Sequence, residues 1–272
     1  MRVGAGAANT HKAFKQLWAA FMSGMAAAAL PPAKLAQQPA KLVFLGCPGV
    51  GKGTYASMLS DRLGIPHIAM GDLVREELLK STPNAQKLKD LVNQGKLLSD
   101  DIVLNLLSSR LLRASENGED GFILDGFPRT RSQAEILDQL TEIDLVVNLK
   151  LREDVLILKC LGRRICSGCG NNFNLADIDV QAENGHPRIL MPAMLPPPTC
   201  ASKLTIREDD TEDVIRERLR IYAQESKPVE DYYKQQNKLL DFDVGGGIPQ
   251  TWPKLLRTLK LDTEDELKTQ QL

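Results

Sequence analysis

A chain of 272 residues with 43% hydrophobic and 25% charged residues has the make-up of a globular protein, long enough for one large α/β domain or a domain with inserts. Its net charge of −1 removes the usual reason to expect nucleic acid or an anionic membrane as a partner. Five cysteines, an odd number, argue against a disulfide framework and for a reducing compartment.

Residues 1–40 stand apart from the rest. No Asp or Glu occurs before Asp61, whereas Arg2, Lys12, Lys15 and Lys34 are all basic. Phe14, Leu17, Trp18, Phe21, Met22 and Met25 recur at helical spacing and share one face. A basic, acid-free, amphipathic leader reads as an organellar transit peptide followed by a Pro/Ala/Gln linker, the alternative being a disordered or docked extension. With Ser23 as its single serine the leader leaves plastid (chloroplast stroma) and mitochondrion both open. The apolar run Ala26–Leu30 ends at Pro31, well short of the about 20 residues a membrane-spanning helix requires.

Lys41–Gly46 then reads as a buried strand and Lys52–Leu63 as a helix stopped by Gly64. Between them, Gly46-Cys47-Pro48-Gly49-Val50-Gly51-Lys52 matches G-x-x-x-x-G-K in the strand-to-helix context that gives the pattern its meaning. Glycines let backbone N–H groups turn inward around phosphate oxygens, the helix N-terminus adds its dipole, and Lys52 reaches the β- and γ-phosphates. The next position is Gly53 and not Ser or Thr, with Thr54 one place later, so the usual hydroxyl ligand for Mg²⁺ is displaced.

Further along, Pro66–Met70, Phe122–Leu124, Leu145–Leu149 and Leu239–Val244 are short apolar runs separated by helical stretches, the rhythm of a doubly wound parallel sheet. Asp125, at the end of its run, is placed to hold the water shell of Mg²⁺, the alternative being a surface turn at Asp125-Gly126. Two stretches interrupt the rhythm: a helical one over 69–98, and one over 162–210 that carries Cys166, Cys169, Cys200 and Pro196–Pro198 and reads as a small irregular subdomain.

Phosphoryl transfer depends on charge stabilisation more than on covalent chemistry. Arg75, Arg129, Arg163, Arg164, Arg207 and Arg218 fall at strand ends and at the hinges of the two interruptions, where they could converge on phosphates.

Together, Gly46–Thr54 and Phe122–Thr130 resemble the signatures of the adenylate kinase family, and Gly71–Arg75, Gly95–Leu98, Gly162–Arg164 and Arg207–Asp210 follow in the family's order. The likeness runs from about Lys41 to Leu261, and the long second insert with its triple proline is similar to plant organellar members. It implies a P-loop nucleoside triphosphate hydrolase-like core made of 41–68, 99–161 and 211–272, with a helical AMP-binding insert over 69–98 and a small lid over 162–210. The implied reaction is reversible phosphoryl transfer from ATP-Mg²⁺ to AMP giving two ADP. The implied protein is a monomer acting on small-molecule nucleotides, with no nucleic acid or membrane partner. Close variants are a kinase of another nucleoside monophosphate or a GTP:AMP phosphotransferase; a non-catalytic nucleotide-sensing module is the reading from another class.

The resemblance also assigns residues. Lys52, Asp125, Arg129, Arg163, Arg207 and Arg218 become catalytic. Gly49, Val50, Gly51, Lys52, Gly53, Thr54, Arg163 and Phe173 bind ATP. Met70, Arg75, Lys96, Leu97, Leu98, Gly126, Phe127, Pro128, Arg129, Gln133, Arg207 and Arg218 bind AMP, and Asp209 with Asp210 position an arginine, in addition to their reading as charges before the helix Thr211–Tyr222. Two positions depart from the pattern. Met70 stands where many members have a threonine, so about 1 kcal/mol of a neutral hydrogen bond to AMP is lost and selectivity falls on backbone groups and Gln133. Cys166, Cys169 and Cys200 resemble the zinc-bearing lids of some members, yet Lys203 occupies the place of the fourth ligand. His186 or Asp177 as a substitute donor, or three reduced thiols without metal, are the alternatives.

Overall fold

The computed structural model describes residues 40–80, 83–94, 96–183 and 185–261. The leader and linker predicted over 1–40 lie, apart from Ala40, outside the described residues.

The centre is a five-stranded, fully parallel sheet in the order β10-β4-β1-β3-β2, built from β1 Lys41–Gly46, β2 His67–Ala69, β3 Phe122–Asp125, β4 Leu145–Lys150 and β10 Leu239–Asp243. Alternate residues of β1 serve opposite faces. Leu42 and Phe44 enter one apolar cluster with Leu59, Val147, Leu156 and Leu255, while Val43 and Leu45 enter the other with Leu107, Leu137, Val146 and Tyr233. Burial on both faces explains why the strands read as continuous apolar runs.

The helices among the described residues are α1 Lys52–Leu63, α2 Met70–Leu78, α3 Pro83–Asn93, α4 Asp100–Glu116, α5 Arg131–Leu140, α6 Glu153–Gly162, α7 Pro198–Ala201, α8 Glu212–Ile221, α9 Lys227–Gln235 and α10 Ile248–Leu259, of which α7 falls within the stretch 162–210. A turn of π-helix, Tyr222–Ser226, joins α8 to α9. Gly64 ends α1 in the left-handed conformation at φ 66°. Thr130 caps α5 by accepting from the Gln133 N–H at 3.2 Å. The strand expected over Pro66–Met70 stops at Ala69, because Met70 already opens α2.

Chain connections leave β1 in opposite directions, toward β3 and β2 on one side and β4 and β10 on the other. The crevice at such a switch point, outside the carboxyl ends of the strands, is where sheets of this kind receive ligands.

The stretch 162–210 is not irregular. It holds a three-stranded antiparallel sheet in the order β6-β5-β9 (β5 Arg163–Cys166, β6 Asn172–Asn174, β9 Leu204–Thr205) and a separate hairpin of β7 Ile178–Val180 with β8 Ile189–Met191. Strands of two to four residues are too short to show alternation, and that is why their pattern is weak in the sequence. Helices α2 and α3 fill the stretch 69–98. Among the described residues no helix is long and apolar enough to cross a membrane.

Candidate active site

One cavity of about 610 Å³ opens at the carboxyl ends of the strands. Its middle is the loop between β1 and α1. Gly49 sits at φ 85°, and a Cβ there would lie 2.5 Å from Cys160 Sγ on α6, so both the backbone and the packing demand glycine. Gly53 answers the missing hydroxyl: a Cβ at that position would come 3.2 Å from Asp125 Oδ2. A Ser or Thr side chain there would press on the carboxylate and require it to give way slightly.

Lys52 Nζ donates to the carbonyls of its own loop, Gly46 O at 2.8 Å and Cys47 O at 3.2 Å. Burial pulls its pKa down to about 8, with the attraction of Asp125 opposing and the repulsion of Arg129 and Arg218 assisting. A second lysine, Lys159 near the end of α6, donates to Val50 O at 2.9 Å and is likewise lowered to about 8 by burial. Burial raises the Asp125 pKa, but His67, Lys52 and Arg129 more than offset it, so the carboxylate is held below its ordinary range. His67 Nε2 on β2 lies 3.6 Å from Asp125 Oδ2.

Arginines surround this centre. Arg163 grips the fully buried Asp210 with both arms of its guanidinium, the Nε–Oδ2 contact measuring 2.7 Å. Arg218 Nη1 donates to Asp209 Oδ2 at 2.7 Å. The two aspartates are therefore arginine anchors as well as neighbours of the α8 N-terminus. Arg75 pairs with Asp72. Arg129 donates from Nε to Gly126 O at 2.9 Å, and Arg207 from Nη2 to Asn172 Oδ1 at 3.2 Å. Burial and neighbouring arginines push both Arg129 and Arg207 down to about 10. Cations that crowd one another in a dry site favour the arrival of an anion.

All five of these arginines line the cavity; Arg164 turns away, donating to Leu161 O and Arg163 O. Gly49, Gly51, Lys52, Gly53, Thr54 and Phe173 also line it, as do Met70, Lys96, Leu97, Leu98, Asp125, Gly126 and Gln133. Three assigned residues are placed otherwise. Val50 and Phe127 are buried in the apolar clusters, and Pro128 follows Phe127 through a cis peptide, so these residues shape the loops and leave the cavity wall to their neighbours. Gln133 Oε1 accepts from the Arg129 N–H at 2.8 Å and Nε2 donates to Asp100 Oδ1 at 2.7 Å, which leaves one amide hydrogen for a ligand.

The cavity has two ends. One, between α2, α4 and the chain before Ser99, carries Met70, Val74, Arg75, Val92, Leu98 and Val103. The other carries Ala176, Ile178, Met191, Pro192, Met194 and the turn Gly246–Ile248, none of which the motifs single out. His67 and Lys159 were missed as well, being single polar residues inside apolar patterns.

Outside the cavity, Cys166, Cys169 and Cys200 bring their sulfurs within 4.8 Å of one another, Cys169 and Cys200 being 3.6 Å apart. His186 and Asp177 are not in this group. Lys203 and Cys166 Sγ border the same space above Gly168. Cys47 and Cys160 are different: burial raises both thiols, Cys47 to about 11.

The family model for adenylate kinase matches residues 44–238 of this chain. "Probable adenylate kinase 1, chloroplastic" of Oryza sativa subsp. japonica is 66% identical over 226 residues, 83% of this chain and 77% of the relative. "Adenylate kinase 1, chloroplastic" of Arabidopsis thaliana is 62% identical over 224 residues, covering 82% and 79%. An adenylate kinase of the archaeon Archaeoglobus fulgidus is 36% identical over 219 residues, covering 79% and 95%.

Proposed function

The chain belongs to the adenylate kinase family, and on that premise we propose how its cavity divides the reaction between two nucleotides. The protein catalyses reversible phosphoryl transfer from ATP-Mg²⁺ to AMP, giving two ADP. The observation that carries the residue assignment is the cavity's plan, two ends with apolar walls on either side of one cationic centre. AMP occupies the end with Met70 and Leu98, its phosphate on Arg75 and Arg129, its base against Lys96–Leu98 and the free amide hydrogen of Gln133. ATP lies along Gly49–Thr54 with its base toward Phe173 and the Gly246–Ile248 turn. The γ-phosphoryl then sits between Lys52, Arg129, Arg163, Arg207 and Arg218, whose charges oppose the negative charge spread over the transferring group. No side chain forms a covalent intermediate. The insert over 162–210 acts as the lid, and its closure excludes water, which strengthens each of these interactions and denies the phosphoryl group to hydrolysis.

Magnesium enters with ATP and neutralises phosphate charge; Asp125 is the residue that would hold its water shell, since Gly53 offers no hydroxyl. Both cavity ends are built by one chain, in keeping with a monomer. The plastid is the compartment favoured, on the strength of relatives named chloroplastic. In a coupled assay, ATP with AMP should yield ADP far faster than ATP with CMP, UMP or GMP. Equal rates with all four acceptors would refute AMP as the substrate, and a higher rate with GTP than with ATP would refute the donor.

For the lid, the three clustered thiols supply three of the four donors of a tetrahedral site. Three thiolates on Zn²⁺ leave one negative charge, which the Lys203 ammonium would balance from above Gly168; solvent would complete the shell. Purified protein should then carry about one zinc per chain, and Cys169→Ser should lose it together with several degrees of Tm. Wild-type protein that purifies without zinc and melts no higher after zinc is added would show three plain thiols instead.

A further inference from the structure

Arg129 differs from the cations around it in what holds its side chain. Arg163, Arg218 and Arg75 are each gripped by an aspartate, Asp210, Asp209 and Asp72 in turn. Among the described residues the Arg129 guanidinium pairs with no carboxylate; its Nε donates to Gly126 O at 2.9 Å, inside its own loop. Its direction therefore depends on the backbone of that loop, which lies between β3 and α5 and belongs to no strand or helix. Two buried side chains fix the backbone at Arg129 itself. Gln133 Oε1 accepts from the Arg129 N–H at 2.8 Å, and Ser226 Oγ donates to Arg129 O at 3.2 Å. Gln133 is a neighbour in the chain, whereas Ser226 reaches across from 97 positions away.

Ser226 owes its place to a break in helical register. α8, the π turn Tyr222–Ser226 and α9 follow one another without a loop from Glu212 to Gln235. Pro228 has no N–H to offer the carbonyl of Gln224, and its ring crowds that carbonyl, so a regular α ladder cannot pass. The chain answers with the wider turn, a rare geometry found frequently at functional sites. The far side of the junction is anchored. Val229 and Tyr233 of α9 share a buried apolar cluster with Phe127, two positions before Arg129, and Tyr222 Oη donates to Glu230 Oε1 at 2.8 Å across the turn.

We propose that Ser226 is a positioning residue for phosphoryl transfer, its hydroxyl holding the Arg129 carbonyl and so setting the aim of the Arg129 guanidinium. The inference rests on the reading that places Arg129 at the transferring group. Because the same run of helix carries Arg218, the bond also sets these two cations relative to each other. Stabilisation of a developing charge is sensitive to such placement, since an error of about 1 Å can cost on the order of 10²-fold in rate.

Ser226→Ala in the full chain should lower kcat about tenfold, one of the two ties on the loop being lost. Ser226→Thr, which keeps the hydroxyl, should retain most of the wild-type rate. The decisive readout is a double-variant cycle. Once Arg129→Ala has removed the guanidinium, adding Ser226→Ala should lower kcat by less than about twofold more, because there is no longer a side chain to aim. The same fold-loss in both backgrounds, or a wild-type kcat in Ser226→Ala, would overturn the proposal. Should Ser226→Ala fail to fold, Ser226→Cys, whose thiol is a weak donor, carries the same cycle. Arg129→Ala with an unchanged kcat would instead overturn the placing of Arg129 at the transferring group.

Discussion

Lys52→Ala should lower kcat by on the order of 10²–10³-fold, the loss expected when one preorganised cationic donor is taken from a developing anion. Among the described residues the side chain's hydrogen bonds go only to Gly46 O and Cys47 O, so its removal should leave the fold and Tm nearly unchanged. Circular dichroism and a melting curve beside the rate assay check both halves. A variant retaining more than a third of the wild-type rate would show that the loop binds phosphate without its lysine.

The same residue has a pH signature. Burial holds it at about 8 against an ordinary 10.5. Between those values the unfolded chain keeps a proton that the folded chain has released, so the stability of the ligand-free protein rises with pH across that window. A bound triphosphate favours the charged lysine and reverses the depression, so ATP binding near pH 8.5 should take up protons. Calorimetry in buffers of different ionisation enthalpy measures that uptake, and Lys52→Ala should reduce it. Part should remain, because Lys159, also held at about 8, stands on the other side of the loop at Val50 O.

What the sequence made legible follows from how local each constraint is. The loop Gly46–Lys52 and the carboxylate Asp125 are specified by neighbours along the chain, a strand before and a helix or turn after, and both lie where the motif reading put them. The five central strands were readable because burial on both faces makes each a continuous apolar run. Gly53 is readable as a departure but not as a cause; only the structure brings Asp125 Oδ2, 72 positions on, into tight contact with where its Cβ would stand. His67 and Lys159 carry no periodic signal, since each is one polar residue whose partner comes from a different element. The hairpin β7–β8 was lost for another reason. Three-residue strands show no alternation, and the partners of Ile178 and Met191 on β10 and α10 lie more than fifty positions away in the chain.

Arg163 carries the second large effect, because the proposed assignment sets its charge on the transferring phosphoryl group while the same guanidinium holds a carboxylate with no access to water. Asp210 has 0% side-chain exposure and takes both of its strong hydrogen bonds from Arg163; the next cation, Arg218 Nη1, is 3.9 Å away and already holds Asp209. Arg163→Ala therefore should do two things. It removes a cation from the reacting centre, lowering kcat by on the order of 10²-fold. It also strands a buried carboxylate, at a stability cost of roughly 3–5 kcal/mol, and Asp210 would draw Arg218 from its own station. Adding Asp210→Asn separates the two effects, because a neutral amide relieves the stranded charge without replacing the arginine. The double variant should regain most of the lost Tm and little of the lost kcat. Recovery of both together would mean that Arg163 acts through the fold alone. Arg163→Lys should fall between, keeping the charge while losing the two-armed grip, since a lysine ammonium cannot reproduce the planar fork that Asp210 accepts.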